Sequence, residues 1–305
     1  MKHFIGIEIG GTKLQLVLGD ESAKILERRK FAVDRQAGAD GIRRQIETTF
    51  PELTSGKNIS AVGFGFGGPV DWETGKIARS HQIEGWSEFQ LIDWLRKFIA
   101  APIFVDNDQN VAALGEATHG AGVGFDPVFY ITLGSGIGGG LILNGEIYHG
   151  AKPGEAEIGH VRLDRDGTTL ESRCSGWAID AKIRELKTKE PNSLLAKLVG
   201  SVTAGEAKFL LPALQHGDAT ARKILQELAE NLAFALSHAV HLFHPQIIII
   251  GGGLSAIGEP LRAAVESSLR KFIMEVFLPG PKIVLSALGE DVVLVGALEL
   301  ARHSV

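Results

Sequence analysis

One device occurs twice in this chain and limits its fold more than any other feature. FIGIEI at 4–9 alternates like a strand, GGTK at 10–13 turns, and LQLVL at 14–18 returns before Gly19 and Asp20 turn the chain again. VFYITL at 128–133 is followed by GSGIGGG at 134–140 and by LIL, with Asn144-Gly145 as a two-residue hairpin signal before EIY. Both halves therefore open with a strand, a glycine-rich turn and a returning strand, as an internal duplication of one unit would. With 305 residues, 45% of them hydrophobic, the chain exceeds the size at which a single core stops growing, so two domains are expected.

Each turn resembles a better-known motif and departs from it in context. GGTK has the residues of a phosphate-binding P-loop in the wrong order, with a strand where that loop needs a helix. GSGIGG satisfies G-x-G-x-x-G, yet LILNGEIY follows instead of the helix of a dinucleotide fold. Two readings stay open: the glycines serve only tight turning, or their bare amides, with Thr12, Lys13 and Ser135, cradle phosphate oxygens. A third cluster, Gly251–Gly253, follows the buried run IIII at 247–250 and precedes a helix from about Pro260 to 272; it suits an adenine or a ribose. Further helices are predicted near 41–50, 88–99, 109–118, 174–187 and 219–243. His238, His241 and His244 recur on the last of these and are read as structural, not as metal ligands.

Composition excludes several partners. Lys plus Arg number 31 against 36 for Asp plus Glu, a net charge of -5 with no basic run, so nucleic acid is not expected. Cys174 is the single cysteine, no apolar run reaches the roughly 18 residues of a membrane span, and the N-terminus does not read as a signal peptide, so no membrane and a cytoplasmic location are expected.

The apolar run APIFV at 101–105 ends in DNDQN, an unusual density of polar chemistry behind a buried strand. Together with GGTK, GFGGPVD at 65–71, LGSGIGGG at 133–140, GEAEIGH at 154–160 and GGG at 251–253, VDNDQNVAALGE resembles the ROK family from residue 4 to the end. That family comprises ATP-dependent sugar kinases and sugar-responsive repressors. The resemblance implies an α/β, two-lobed fold similar to hexokinase and actin, a ribonuclease H-like duplication with the nucleotide in the interlobe cleft. The first lobe is expected at 1–116 with a returning helix at about 291–305, the second at 117–290.

Cofactors implied are ATP and Mg2+, held by Glu8, Gly10, Gly11, Thr12 and Lys13, by Gly134, Ser135, Gly136, Gly138 and Gly139, and by Gly251, Gly252 and Gly253. Asp108 matches the aspartate of the family's N-D-x-N, a base for the sugar hydroxyl; read alone, it also suits a helix N-cap. Asn107, Gly68, Gln82, Glu157, His160 and Glu171 are the implied sugar ligands. The substrate expected is a hexose, glucose first, with N-acetylmannosamine, N-acetylglucosamine, mannose or fructose as alternatives, and a homodimer is implied. A repressor would carry a DNA-binding domain upstream, where three residues precede the first strand. A catalytically weak sugar-binding protein is the remaining alternative.

The chain departs from its family at several points. Members commonly place C-x-C-G-x-x-G-C between the histidine and glutamate matched by His160 and Glu171, forming a zinc site. VRLDRDGTTL stands here at 161–170, so no structural zinc is expected, and Asp166-Gly167 reads as a tight turn replacing the metal clip. Glu8 stands for a usual Asp, Gln82 for Asn, Gly67 for Pro and Ala156 for Gly.

Overall fold

The computed structural model describes residues 2–78, 83–152 and 156–303. It divides into two compact units, one of residues 1–124, 140–156 and 288–305, the other of 125–139 and 157–287. The stretch 140–156 thus belongs with the first unit, which the boundaries expected at 116 and 290 did not anticipate.

Unit 1 is built on β1 (His3–Ile9), β2 (Lys13–Gly19), β3 (Ile25–Ala32), β4 (Ile59–Phe66) and β8 (Ile103–Asn107), in the order β3-β2-β1-β4-β8. The first three strands are antiparallel neighbours, while β4 and β8 run parallel to β1. Alternation sends Ile5, Ile7 and Ile9 to one face, where they join Ile42, Ile46, Phe50 and Leu53 of α1 (Gly38–Thr54). Phe4 and Val17 go to the other face, onto Leu294 and Leu298 of the returning helix α10 (Val292–His303). Each such fully buried side chain stabilises by roughly 1.5–3 kcal/mol. Missing side chains bring α10 close: a Cβ on Gly63 would lie 1.9 Å from the Ala297 carbonyl, and one on Gly296 1.8 Å from that of Val111. A small sheet of β5 (Val70–Asp71), β6 (Lys76–Ile77) and β7 (Phe89–Gln90) flanks α2 (Leu91–Leu95) in sequence, so the helix expected at 88–99 is shorter and begins as strand. Beyond β8, α3 (Asp108–His119) packs on α10.

The second sheet repeats the first: β9 (Val128–Leu133), β10 (Ile137–Leu143), β11 (Glu146–Ile147), β12 (Ile247–Gly251) and β13 (Lys282–Leu285) lie in the order β11-β10-β9-β12-β13, with β12 parallel to both β9 and β13. A hairpin followed by two parallel strands recurs, which is the duplicated unit read from the glycine turns. The helix expected at 174–187 is two helices, α4 (Leu170–Cys174) and α5 (Gly176–Lys189); extended Ser175 separates them and its Oγ caps α5 at the amide of Ala178, 3.2 Å. Then come α6 (Leu194–Val199), α7 (Leu210–Gln215), the long α8 (Ala219–Phe243) and α9 (Glu259–Leu269), with Pro260 in the first turn of α9. His238 bonds the Phe234 carbonyl, His241 accepts the Met274 amide and His244 stacks on Phe277, so the three histidines have structural partners.

Candidate active site

In unit 1 three parallel strands end in register. Ile9 pairs with Phe66 and Phe66 with Asn107, so Gly10, Gly67 and Asp108 are the next residues on adjoining strands. The carboxyl ends of parallel strands are where open α/β sheets bind ligands. The Gly67 amide donates to the Ile9 carbonyl at 2.9 Å. A Cβ on Gly67 would lie 3.2 Å from the Ile9 carbonyl, 3.4 Å from Asp108 Oδ2 and 3.7 Å from Gly10 Cα, so Gly67 stands within contact range of both the carboxylate and the glycine turn.

The helix cap at this corner is Asn107, not Asp108. Asn107 is extended (φ -60°, ψ 141°) and its Oδ1 accepts the Gln109 amide at 2.8 Å, while Nδ2 donates to the Gly68 carbonyl at 3.2 Å. Asp108 is therefore the first helical residue, and the N-cap role falls to its neighbour. Desolvation pushes that carboxyl up to about 7 and the charge of Glu8 adds to the rise, against hydrogen bonds from the side chain and backbone of Gln109. A base that titrates near the working pH is suited to proton abstraction.

Glu8 is buried, 5% exposed, and its longer arm folds onto its own hairpin. Gln15, its partner across the β1–β2 ladder, donates Nε2 to Oε2 at 2.8 Å, and Lys13 Nζ lies 3.1 Å from Oε1. Sequence reasoning passed over Gln15; a glutamine inside the buried run LQLVL was the available signal.

In unit 2 the glycine turn closes on itself. The Gly134 amide donates to Gly136 O at 2.9 Å, and Gly134 O accepts the Gly176 amide at 2.7 Å. Glu171 presses on this turn: its Oε2 accepts the Ile137 amide at 2.8 Å and would lie 2.6 Å from any Cβ on Gly136. Gly138 and Gly139 continue along β10. The segment holding Glu171 is closed without metal ligands. Arg162 bridges Thr169, the Leu163 amide donates to Thr168 O at 2.8 Å, and Asp164 Oδ1 accepts the amides of Asp166 and Thr168 around Gly167 (φ +104°). Thr169 then opens α4 with a capping box to Ser172. Cys174 is buried, which pushes its thiol up to about 12. Among the described residues no group of three or more His, Cys, Asp or Glu is placed to hold a metal ion.

The glycines at the strand ends fall into two kinds. A Cβ on Gly251 would lie 2.1 Å from the Tyr130 hydroxyl, and Gly252 (φ +81°) would place one 2.6 Å from the Leu133 backbone, so packing itself requires both. At Gly10 and Gly134 the nearest atoms are backbone carbonyls 3.6 Å away, and among the described residues nothing lies within 4 Å of a Cβ on Gly253. Protein packing leaves these three positions open, so the bare backbone there has room for a close approach.

Glu157 and His160 flank a short 3-10 turn, are 49% and 71% exposed in their side chains, and stand 3.9 Å apart. Gln82 lies outside the described residues. The structure thus gathers Glu8, Gly10, Lys13, Gly68, Asn107 and Asp108 in unit 1, and Gly134, Gly136, Glu171 and Gly251–Gly253 around one sheet in unit 2.

The ROK family profile matches residues 4–304. The glucokinase of Thermotoga maritima is 34% identical over 99% of this chain and 98% of its own, and that of Halalkalibacterium halodurans 30% identical over 99% and 96%. A ROK family glucokinase from Streptomyces griseus, solved with glucose and AMPPNP, superposes with a TM-score of 0.85 at 32% identity, covering 99% of each chain. The fold is that of the hexokinase-like, actin-like sugar kinases. With the family profile spanning residues 4–304 and relatives matched along nearly their whole length, the chain belongs to the ROK family.

Proposed function

We propose that this protein transfers the γ-phosphoryl group of MgATP to a hydroxyl of a hexose, with glucose the first candidate. The observation that carries the reading is Asp108: one residue past the N-cap Asn107, beside Gly10 and Gly67, with its carboxyl pushed up to about 7 by desolvation. Relatives that are 30–34% identical and named glucokinases support the choice of sugar.

The bare amides and side chains of Gly10–Lys13 and of Gly134–Gly136 suit phosphate oxygens, and the open positions at Gly134 and Gly253 allow a nucleotide to approach the backbone. Glu8 is the acidic side chain beside the first turn; its Oε1 is paired with Lys13 and its Oε2 accepts from Gln15, so an Mg2+ arriving with the phosphates would be held by Glu8 only if Lys13 turned to the phosphates, and there it would neutralise phosphate charge. Asn107 keeps one amide hydrogen for a sugar hydroxyl, and Gly68, Glu157, His160 and Glu171 are assigned to the remaining hydroxyls. Asp108 accepts the proton of the attacking hydroxyl, the oxygen forms its bond to the γ-phosphorus, and ADP leaves with the electrons of the broken P–O bond.

No helix among the described residues is long and apolar enough to cross a membrane. A homodimer in the cytoplasm is the assembly we assign, checked by light scattering on the purified protein. The activity itself is tested by ADP release coupled to NADH oxidation across a hexose panel, with Asp108→Asn as control. Turnover of no sugar, or equal turnover by the variant, rejects the reading.

A further inference from the structure

The corner that carries Asn107 and Asp108 also carries a buried carboxylate with no part in the chemistry described above. Asp106 is 4% exposed and is held by three donors. Its Oδ1 accepts the Asn107 amide at 2.7 Å and Asn110 Nδ2 at 3.0 Å, and its Oδ2 is 2.6 Å from His149 Nε2. A carboxylate only accepts, so the imidazole carries its proton on Nε2.

His149 follows β11 in the chain and is far from Asp106 in sequence. Its ring stacks on Trp72, centroids 4.2 Å apart and planes at 16°. Lys152 lies over the same indole at 5.6 Å, 3.2 Å from Asp71 Oδ1 and paired with Glu73. Three segments, 71–73, 106–110 and 149–152, therefore meet at one imidazole. In sequence the first leads to Gln82 and the third to Glu157, both assigned to the sugar, while the second is the base-bearing corner itself.

Stability alone gives no reason for this arrangement. Burying a carboxylate costs several kcal/mol before its bonds are counted, and an apolar pair of similar volume holds a fold as well or better. What a fully bonded Asp–His pair adds is fixed geometry.

We propose that His149 is a positioning residue for the sugar: through Asp106 it orients the Asn107–Asp108 turn, and through Trp72 it ties that corner to the segment at 71–73. The inference rests on the sugar-kinase reading above and adds a residue that acts through another.

The test uses the full chain, with KM for the sugar turned over fastest, KM for ATP and kcat measured for His149→Ala, His149→Gln and Asp106→Asn. Calorimetric titration with that sugar, or with glucose where none is turned over, and a thermal midpoint accompany each variant. A glutamine amide can reach Asp106 with the donor that alanine lacks. His149→Ala is expected to raise the sugar's KM and Kd about tenfold or more while changing the KM for ATP less than about twofold, and His149→Gln to recover most of the loss. Asp106→Asn is expected to lower kcat as well, because the Asn107 turn loses its charged acceptor. The proposal is overturned if the sugar and ATP constants move together in step with the thermal midpoint, if glutamine does no better than alanine, or if alanine leaves sugar binding intact. Wild-type protein that binds sugar without phosphorylating it refutes the kinase reading and leaves the titrations to decide this one; protein that does neither refutes both.

Discussion

The end of β8, at the edge of one sheet, and the end of β9, in the middle of the other, solve opposite problems. At the end of β8 three consecutive side chains, Asp106, Asn107 and Asp108, do separate work: the first is saturated by three donors, the second caps a helix, and the third is left to titrate near 7. At the end of β9 side chains are scarce, and the turn offers backbone, held by Glu171 on one side and by the Gly176 amide on another. A proton acceptor needs a side chain whose desolvation is controlled. A polyanion cradle needs amides that no Cβ shields. The same hairpin-and-parallel-strand unit supports either, according to which residues follow the strand.

The comparison breaks most readily at Asp108. Asp108→Asn is expected to lower kcat by about 10²- to 10⁴-fold with the sugar's KM little changed, read by the coupled assay. The same variant separates chemistry from stability. A carboxyl that titrates at about 7 in the fold and at an ordinary 3.8 outside it stabilises the protein fully below about 4 and loses that contribution as pH rises through 7. Asparagine does not ionise, so a thermal melt at pH 8 should show the variant at least as stable as wild type.

Two glycine substitutions sharpen the other side. Gly252→Ala forces a Cβ against the Leu133 backbone at a positive φ and is expected to cost about 1–3 kcal/mol in a denaturant titration. Gly134→Ala meets no such contact, so its stability should change by less than about 0.5 kcal/mol while the KM for ATP rises about tenfold. Equal loss of stability in both would remove the distinction between packing glycines and ligand glycines.

The smallest shift expected is in the pH profile, at Glu8. Its charge contributes to the raised titration of Asp108, so Glu8→Gln should move the acid limb of the kcat/KM profile downward, by about one pH unit or less.

Much of this contrast was legible in the residues themselves. Alternation gave the hairpins at 4–18 and 128–147, and glycine after strand marked the turns, because both signals are local. The cap at the end of β8 was not legible, since Asn107 and Asp108 are both good N-caps and only the backbone angles decide between them. The Glu8–Gln15 bond depends on hairpin register, and the Asp106–His149 bond joins residues 43 apart, so neither leaves a local pattern. Glu171 was read as a sugar ligand from its place after the loop at 161–170; its bond to the Ile137 amide required the two segments to be seen together. The loop itself was readable as a turn because Asp166-Gly167 is turn chemistry on its own.

The central claim is that Asp108 takes the proton. The most direct measurement is the single-turnover rate of glucose phosphorylation from saturating MgATP between pH 5 and pH 9, for wild type and Asp108→Asn side by side. The account predicts a wild-type rate that climbs about tenfold per pH unit below 7 and levels above it, with a variant rate that is far lower and lacks this limb. A variant that keeps both the limb and the rate would contradict it.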